Sequence, residues 1–277
     1  MSVSDAAQGI ERSADSAGQP GPPCVCVTAL STTPVKGLHV HARRELSLQP
    51  GGVAENRCFY LIDERARLVN GKRIGSLTAV LADYEAEAER LTMRFPDDSV
   101  ADGAVALGEP IQTRFFSRTP TARLVVGPWS EALSSYVGQP LRLVRADEDG
   151  GVDRGPRGAV SLISRASVER LEWLAGETVD PRRFRMLIEV AGSYPHQEDD
   201  WVGHRLRVGE ALVAMHGHVG RCLVTTQSPD TGVVDLPTLD LLSYRRGLAT
   251  TEPLAFGVYG EVLEPGLVRL GDRVTPD

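Results

Sequence analysis

The runs CVCVTAL (24–30), LSL (46–48), CFYLID (58–63), RLV (67–69), AVLADYE (79–85) and RLTMRF (90–95) decide the fold class. Each is short, apolar or alternating, and bounded by Gly, Pro, Asp or Asn, which is the pattern of brief β-strands rather than long helices. Pro50-Gly51-Gly52 and Asn70-Gly71 are turn signals, because glycine adopts the positive φ of tight turns without steric cost. Leu141–Val144 and, further on, FRMLIEV (184–190), HRLRV (204–208), ALVAMHG (211–217), CLVTT (222–226) and FGVYGEVLEPGLVRLGDRV (256–274) read as strand and turn. Three modest helices interrupt them. One lies near Pro128–Tyr136 with Trp129, Leu133 and Tyr136 on one face. A second is capped by Ser164, has Ser167 in its first turn and carries Val168, Leu171 and Leu174 inward; the third is PTLDLLSYRR (237–246). The expected architecture is mainly β, with an N-terminal β-barrel-like domain over 24–146 and a second β-barrel domain over 147–277, joined through the charged, Gly-rich stretch Asp147–Arg157.

Composition narrows the function. The 277 residues include 28 Gly and 18 Pro, 42% are hydrophobic and 24% charged, enough for substantial cores with many turns. A net charge of −7 argues against a surface that grips nucleic acid or anionic membrane as a whole, while leaving room for a local cationic pocket. Residues 1–23 hold one large apolar residue, Ile10, and read as a disordered tail without the basic start and apolar core of a signal peptide. A cytoplasmic protein is expected. The four cysteines, Cys24, Cys26, Cys58 and Cys222, form neither a disulfide framework nor a CxxC pair.

Four clusters carry possible chemistry. In His216-Gly217-His218-Val219-Gly220-Arg221-Cys222 the guanidinium beside the thiol favours a thiolate, a nucleophile and soft-metal ligand. His216 and His218 share one side of a strand and with Cys222 offer three donors for a transition metal, although spacing specifies no fourth. Buried structural cysteine and ordinary strand histidines remain the plainer alternatives. In Thr33-Pro34-Val35-Lys36-Gly37-Leu38, with Arg57 downstream, an ammonium, a glycine and a guanidinium fork suit an anion; a turn with solvated cations would look the same. Arg182-Arg183-Phe184-Arg185 leads into an apolar run, where strand alternation would send Arg183 and Arg185 to one face. The N–H groups at the helix start of Ser164 and Ser167 favour an anion as well. Glu198-Asp199-Asp200-Trp201 reads as a turn or cap rather than an acid/base pair.

Taken in order, TALSTTPVKGL (28–38), LQPGGVAENRCFYLID (48–63), SLISRASVERL (161–171), RRFRMLIEV (182–190), EDDWVGHRLRVGEALV (198–213), GRCLVTTQSPDTG (220–232) and TLDLLSYR (238–245) resemble the MOSC superfamily with its companion N-terminal β-barrel domain. The branch they resemble includes the mitochondrial amidoxime-reducing component and bacterial relatives. The resemblance implies a pterin-based molybdenum cofactor with Cys222 as the molybdenum ligand and catalytic position. It implies that Lys36, Gly37 and Arg57 hold the cofactor's phosphate, that Ser164 and Ser167 donate at the helix start, and that Arg183, Arg185 and Arg221 flank pterin and phosphate. It also brings pyridoxal phosphate binding as an expectation. An oxidoreductase acting on N-hydroxylated or similar small molecules follows, served by a separate electron-donor protein because no flavin, haem or iron–sulfur motif is found in the sequence. Two alternatives keep the same pocket: a sulfur carrier with a persulfide on Cys222, or a binding module for a phosphate-bearing small molecule, including a scaffold without chemistry.

The chain departs from that pattern at several positions. Met186-Leu187 stands where Pro-Asn follows the Arg-Phe-Arg run, removing an amide whose loss costs about 1–3 kcal/mol of buried hydrogen bonding. Gly37 replaces a hydroxyl residue, Asn56 an Asp, and Val219 an upstream Cys.

Overall fold

The structure, a computed structural model, describes residues 24–147 and 152–277. The tail expected over 1–23 lies outside the described residues, as does part of the expected boundary stretch. Eighteen strands appear among the described residues, and three α-helices join them. The strands are β1 (Cys26–Thr32), β2 (His41–Arg43), β3 (Glu45–Leu48), β4 (Phe59–Ile62), β5 (Leu68–Val69), β6 (Leu81–Glu85), β7 (Arg90–Arg94), β8 (Val100–Ala104) and β9 (Ala106–Gln112). They continue with β10 (Thr121–Val126), β11 (Arg142–Ala146), β12 (Val160–Ser164), β13 (Ile188–Ala191), β14 (Arg205–Val208), β15 (Ala211–Gly220), β16 (Ala255–Glu264), β17 (Gly266–Arg269) and β18 (Val274–Pro276). The helices are α1 (Trp129–Val137), α2 (Arg165–Ala175) and α3 (Thr238–Leu241).

The fold is mainly β and barrel-like, as the short runs require. The largest sheet has the order β18-β14-β15-β16-β12-β13-β1-β2 and curls into a half-barrel; within it only β12 and β13 run parallel. Helix α2 makes that parallel connection possible, since parallel neighbours need a crossover. A five-stranded sheet, β5-β4-β11-β10-β9, and a three-stranded one, β6-β7-β8, are built from the first 146 residues. Strands β1 and β2 precede the 146/147 point yet join the large sheet, and β3 pairs with β17 in a separate two-stranded sheet. Leu30 pairs with Ile188 in β13, and Leu48 of β3 pairs with Gly266 of β17. Their side chains follow, so Val27, Leu30, Leu46 and Leu48 share a core with Val160, Ile188, Val213 and Val258. A second core gathers Phe59, Leu77, Leu91, Trp129 and Leu143. Trp129 is fully buried there and satisfies its indole N–H on the Leu91 carbonyl at 3.1 Å.

Two segments expected as strands are tight turns instead. Residues Pro181–Phe184 form a 3₁₀ turn, because Pro181 presets the helical φ and Asp180 accepts from Arg182 N–H at 2.8 Å; the strand begins only at Ile188. Leu223–Thr226 is likewise 3₁₀, since Thr225 and Thr226 donate their hydroxyls to the carbonyls of Cys222 and Leu223 at 3.0 and 2.7 Å. The expected helix over 237–246 divides into α3 and a 3₁₀ turn, Leu242–Arg245.

Candidate functional site

The crossing of β1 into the large sheet brings two cation-bearing turns together. After β1 the chain turns through Thr33–Leu38, and the segment Val53–Phe59 is laced to it: Arg57 N–H donates to Thr33 O at 2.7 Å, Lys36 N–H to Phe59 O at 2.8 Å and Phe59 N–H to Pro34 O at 3.0 Å. Asn56 belongs to the same lacing, its Oδ1 accepting from Thr33 N–H at 3.1 Å. Gly37 has φ +96°, and a Cβ there would stand 3.2 Å from Asn70 Cα, so glycine lets this turn close against the Asn70-Gly71 turn.

The third contribution is the turn after Phe184. Arg185 adopts a left-handed conformation, φ +53°, and its carbonyl accepts from Arg57 Nη2 at 2.7 Å while its own guanidinium donates to Leu38 O. Arg183 and Arg185 therefore converge through a turn, not through the strand alternation expected. Arg183 Nη1 is held by the Gln227 carbonyl and Asp235, each at 2.7 Å.

The fourth is the end of β15. Segment 250–252 runs beside it, with Thr251 Oγ1 accepting from His218 N–H at 2.7 Å and Glu252 Oε2 from Gly220 N–H at 2.8 Å. Extended backbone at Cys222, φ −133° and ψ 177°, sends neighbouring side chains opposite ways. Arg221 goes inward, donating to Phe256 O and Phe184 O at 2.8 Å each and to the Met186 thioether at 3.0 Å, with its guanidinium over the Phe184 ring. Cys222 faces outward and is exposed. The Met186 sulfur thus accepts a hydrogen bond at the position matching the Pro of the family pattern, while at Leu187, where the amide side chain is lost, the backbone N–H donates to Ser161 Oγ at 3.0 Å.

Together these turns enclose a cleft of about 570 Å³ lined by Lys36, Gly37, Arg57, Arg183, Arg185, Arg221 and Cys222. It shares Arg57, Arg185 and Arg221 with an inner chamber of about 100 Å³ walled by Gly51-Gly52-Val53 and Met186-Leu187. Seven of the nine residues predicted to act are therefore brought to one place. Burial pushes the guanidiniums of Arg185 and Arg221 down to about 9, with the Arg57 charge adding to the effect. Among the described residues neither of them meets a carboxylate within ion-pair distance; their donors end on carbonyls and a sulfur, and Asp153 attracts Arg185, and Glu252 Arg221, only from farther away. Half-buried cations without an ion-pair partner and an exposed soft ligand fit an anionic cofactor bound through a thiolate.

Ser164 and Ser167 lie elsewhere. Both are fully buried: Ser164 N–H reaches Glu198 Oε1 at 3.2 Å and Ser167 Oγ reaches it at 2.8 Å, while the Ser164 hydroxyl pairs with that of Ser193 at 2.6 Å. The anion at the start of α2 is thus internal. His216 stands 2.9 Å from Glu261 and His218 3.7 Å from Asp199, and no group of three or more His, Cys, Asp or Glu among the described residues is placed to hold a metal ion. The histidines and Cys222 do not form one donor set, because β15 bulges at His216 and again between His218 and Gly220 and ends before Cys222. Pyridoxal phosphate finds no support. The chain has two lysines, Lys36 and Lys72, and Lys36 is ion-paired to Asp153 against the rings of Phe115 and Phe116.

Reading the sequence missed Asp153, Arg154 and Glu252. Asp153 bridges Lys36 Nζ and Arg57 Nη1. Arg154 forks onto Glu252, with Nη2 2.9 Å from Oε2, and stacks on Tyr259 at 4.2 Å. Their charge pattern, DEDGGVDRGPR, reads as a solvated boundary, and no local signal separates the two residues that fold inward.

The chain is similar to known proteins. The MOSC domain family matches residues 149–275. Mitochondrial amidoxime reducing component 2 of Rattus norvegicus is 35% identical over 123 residues, covering 42% of this chain and 36% of that protein. Molybdenum cofactor sulfurase of Oryza sativa subsp. japonica is 26% identical over 253 residues, 77% of this chain and 30% of that protein. The chain spans about a third of the length of the curated relatives it matches. Among solved structures, the YuaD protein of Bacillus subtilis aligns at a TM-score of 0.44 and 12% identity, over 90% of this chain and 93% of that one. No helix among the described residues is long and apolar enough to cross a membrane.

Proposed function

Because residues 149–275 are a MOSC domain, we propose that this protein binds a phosphate-bearing, pterin-based molybdenum cofactor and uses it as an oxidoreductase toward N-hydroxylated or similar small molecules. The observation that carries the reading is the exposed thiol of Cys222 at the mouth of a cleft whose half-buried guanidiniums, Arg185 and Arg221, have no carboxylate in ion-pair contact among the described residues. Lys36, Arg57 and Arg185 hold the anionic group, and Gly37 lets the Lys36 turn seat against Asn70-Gly71. Arg183, fixed by Asp235, walls the same side. Arg221 locks Phe184 and Phe256 around the chamber. When bound, the cofactor supplies two-electron chemistry at the metal; the protein supplies position, charge and a thiolate. A separate redox protein delivers the electrons.

Protein purified from a host that makes the cofactor should carry near-stoichiometric molybdenum and release a fluorescent oxidised pterin. The Cys222→Ala variant should keep its fold and lose the metal. Absence of both molybdenum and pterin from the well-folded wild type defeats the proposal. Exposure of Cys222 also suits a sulfur carrier, which intact-mass analysis after treatment with a cysteine desulfurase and cysteine separates: a sulfur adduct on Cys222 of metal-free protein favours the carrier.

A further inference from the structure

Asp153 occupies the place where two cations from different turns converge. Its carboxylate takes Lys36 Nζ on one oxygen and Arg57 Nη1 on the other, as an oxygen pair of a phosphate would. Its backbone is anchored there as well. Val152 N–H donates to Arg57 O at 3.1 Å, and Arg118 Nη2 reaches Val152 O at 2.8 Å and Asp153 O at 3.1 Å. Burial alone would raise the Asp153 carboxyl, but Lys36 and Arg57 outweigh it and hold the group charged, well below the ordinary range. Arg185 and Arg221 stand beside this triad with no carboxylate in ion-pair contact among the described residues.

We propose that Asp153 is a specificity-determining residue: an internal anion that a ligand's phosphate must displace from Lys36 and Arg57. This deepens the cofactor reading and rests on it. A ligand meets those two cations only in the fraction of molecules in which Asp153 has left them, so its apparent affinity falls by that fraction. A monocarboxylate gains nothing by the exchange, because one singly charged carboxylate replaces another. A phosphate dianion brings a second charge, which Arg185 and Arg221 are placed to meet. Asp153 thereby sets a charge threshold for entry.

The test measures binding of inorganic phosphate and of acetate, at constant ionic strength, to wild type, Asp153→Asn and Glu252→Gln. Glu252 lines the same cleft, so its variant removes an equal charge without freeing Lys36 or Arg57. Phosphate should bind Asp153→Asn at least about tenfold more tightly than wild type, with a gain of less than about threefold for Glu252→Gln. Acetate should bind only Asp153→Asn. A gain no larger than that of Glu252→Gln, or no gain, overturns the inference while phosphate binding by wild type leaves the anion pocket standing. Failure of every protein to bind phosphate overturns the pocket itself. Hydrogen exchange on wild type gives a readout that needs no variant: saturating phosphate should speed exchange at Val152 N–H, and phosphate binding without that change overturns displacement.

Discussion

Ser167 Oγ stands 2.8 and 2.9 Å from the two carboxylate oxygens of Glu198, inside the first turn of α2. A helix start that would attract a ligand anion is filled by the chain itself, and Ser164 N–H completes the cap at 3.2 Å. Burial pushes Glu198 up to about 7 even though Ser167 and Ser164 N–H favour its charged form.

That shift has a definite sign. A carboxyl whose folded pKa is raised binds more protons folded than unfolded, so its contribution to stability falls as pH rises from about 4.5 through about 7. Denaturant titrations between pH 5 and pH 8 should show wild type losing more stability than Glu198→Gln across that window, by an amount on the order of 3 kcal/mol. Parallel pH profiles would show that Glu198 is not the group responsible.

Arg185 should trade stability for binding. Its half-buried charge has no carboxylate within ion-pair distance among the described residues, so Arg185→Met removes a desolvation cost larger than the hydrogen bond to Leu38 O that it loses. Chemical denaturation should find the ligand-free variant more stable by about 1 kcal/mol, with phosphate binding abolished. A destabilised variant that still binds phosphate contradicts this account of the site.

Gly232 ends the loop that follows Cys222. It has φ +73°, and a Cβ on it would stand 1.8 Å from the Gly75 carbonyl oxygen, which no flexible side chain can relieve. Gly232→Ala should cost roughly 2–4 kcal/mol and, under the proposed function, lower the molybdenum content, because the loop can no longer seat against the residue 75 turn. Calorimetry and metal analysis of the same preparation check both parts.

Trp129 anchors α1 in the core formed by the first 146 residues. Trp129→Ala should lose about 3–5 kcal/mol through the cavity and the orphaned Leu91 carbonyl, measured by urea unfolding. An unfolding midpoint unchanged from wild type would show that this core does not depend on the indole.

Short alternating runs between turn residues were enough, on sequence alone, to give a mainly β fold, and the ordered motifs from Thr28 to Arg245 pointed to the family and to Cys222, Lys36, Arg57, Arg183, Arg185 and Arg221 as a set. These features are local: period-two patterning, proline and glycine geometry, and residue types with fixed chemistry act over a few positions and leave their mark there. Tertiary structure decided which charges meet. Glu198 took the serines, Asp153 took Lys36 and Arg57 across 117 and 96 positions, and Arg221 found carbonyls in place of carboxylates. Ion pairing depends on distance in space and on burial, and the crossing of β1 into the large sheet sets both, without trace in the spacing of the residues involved.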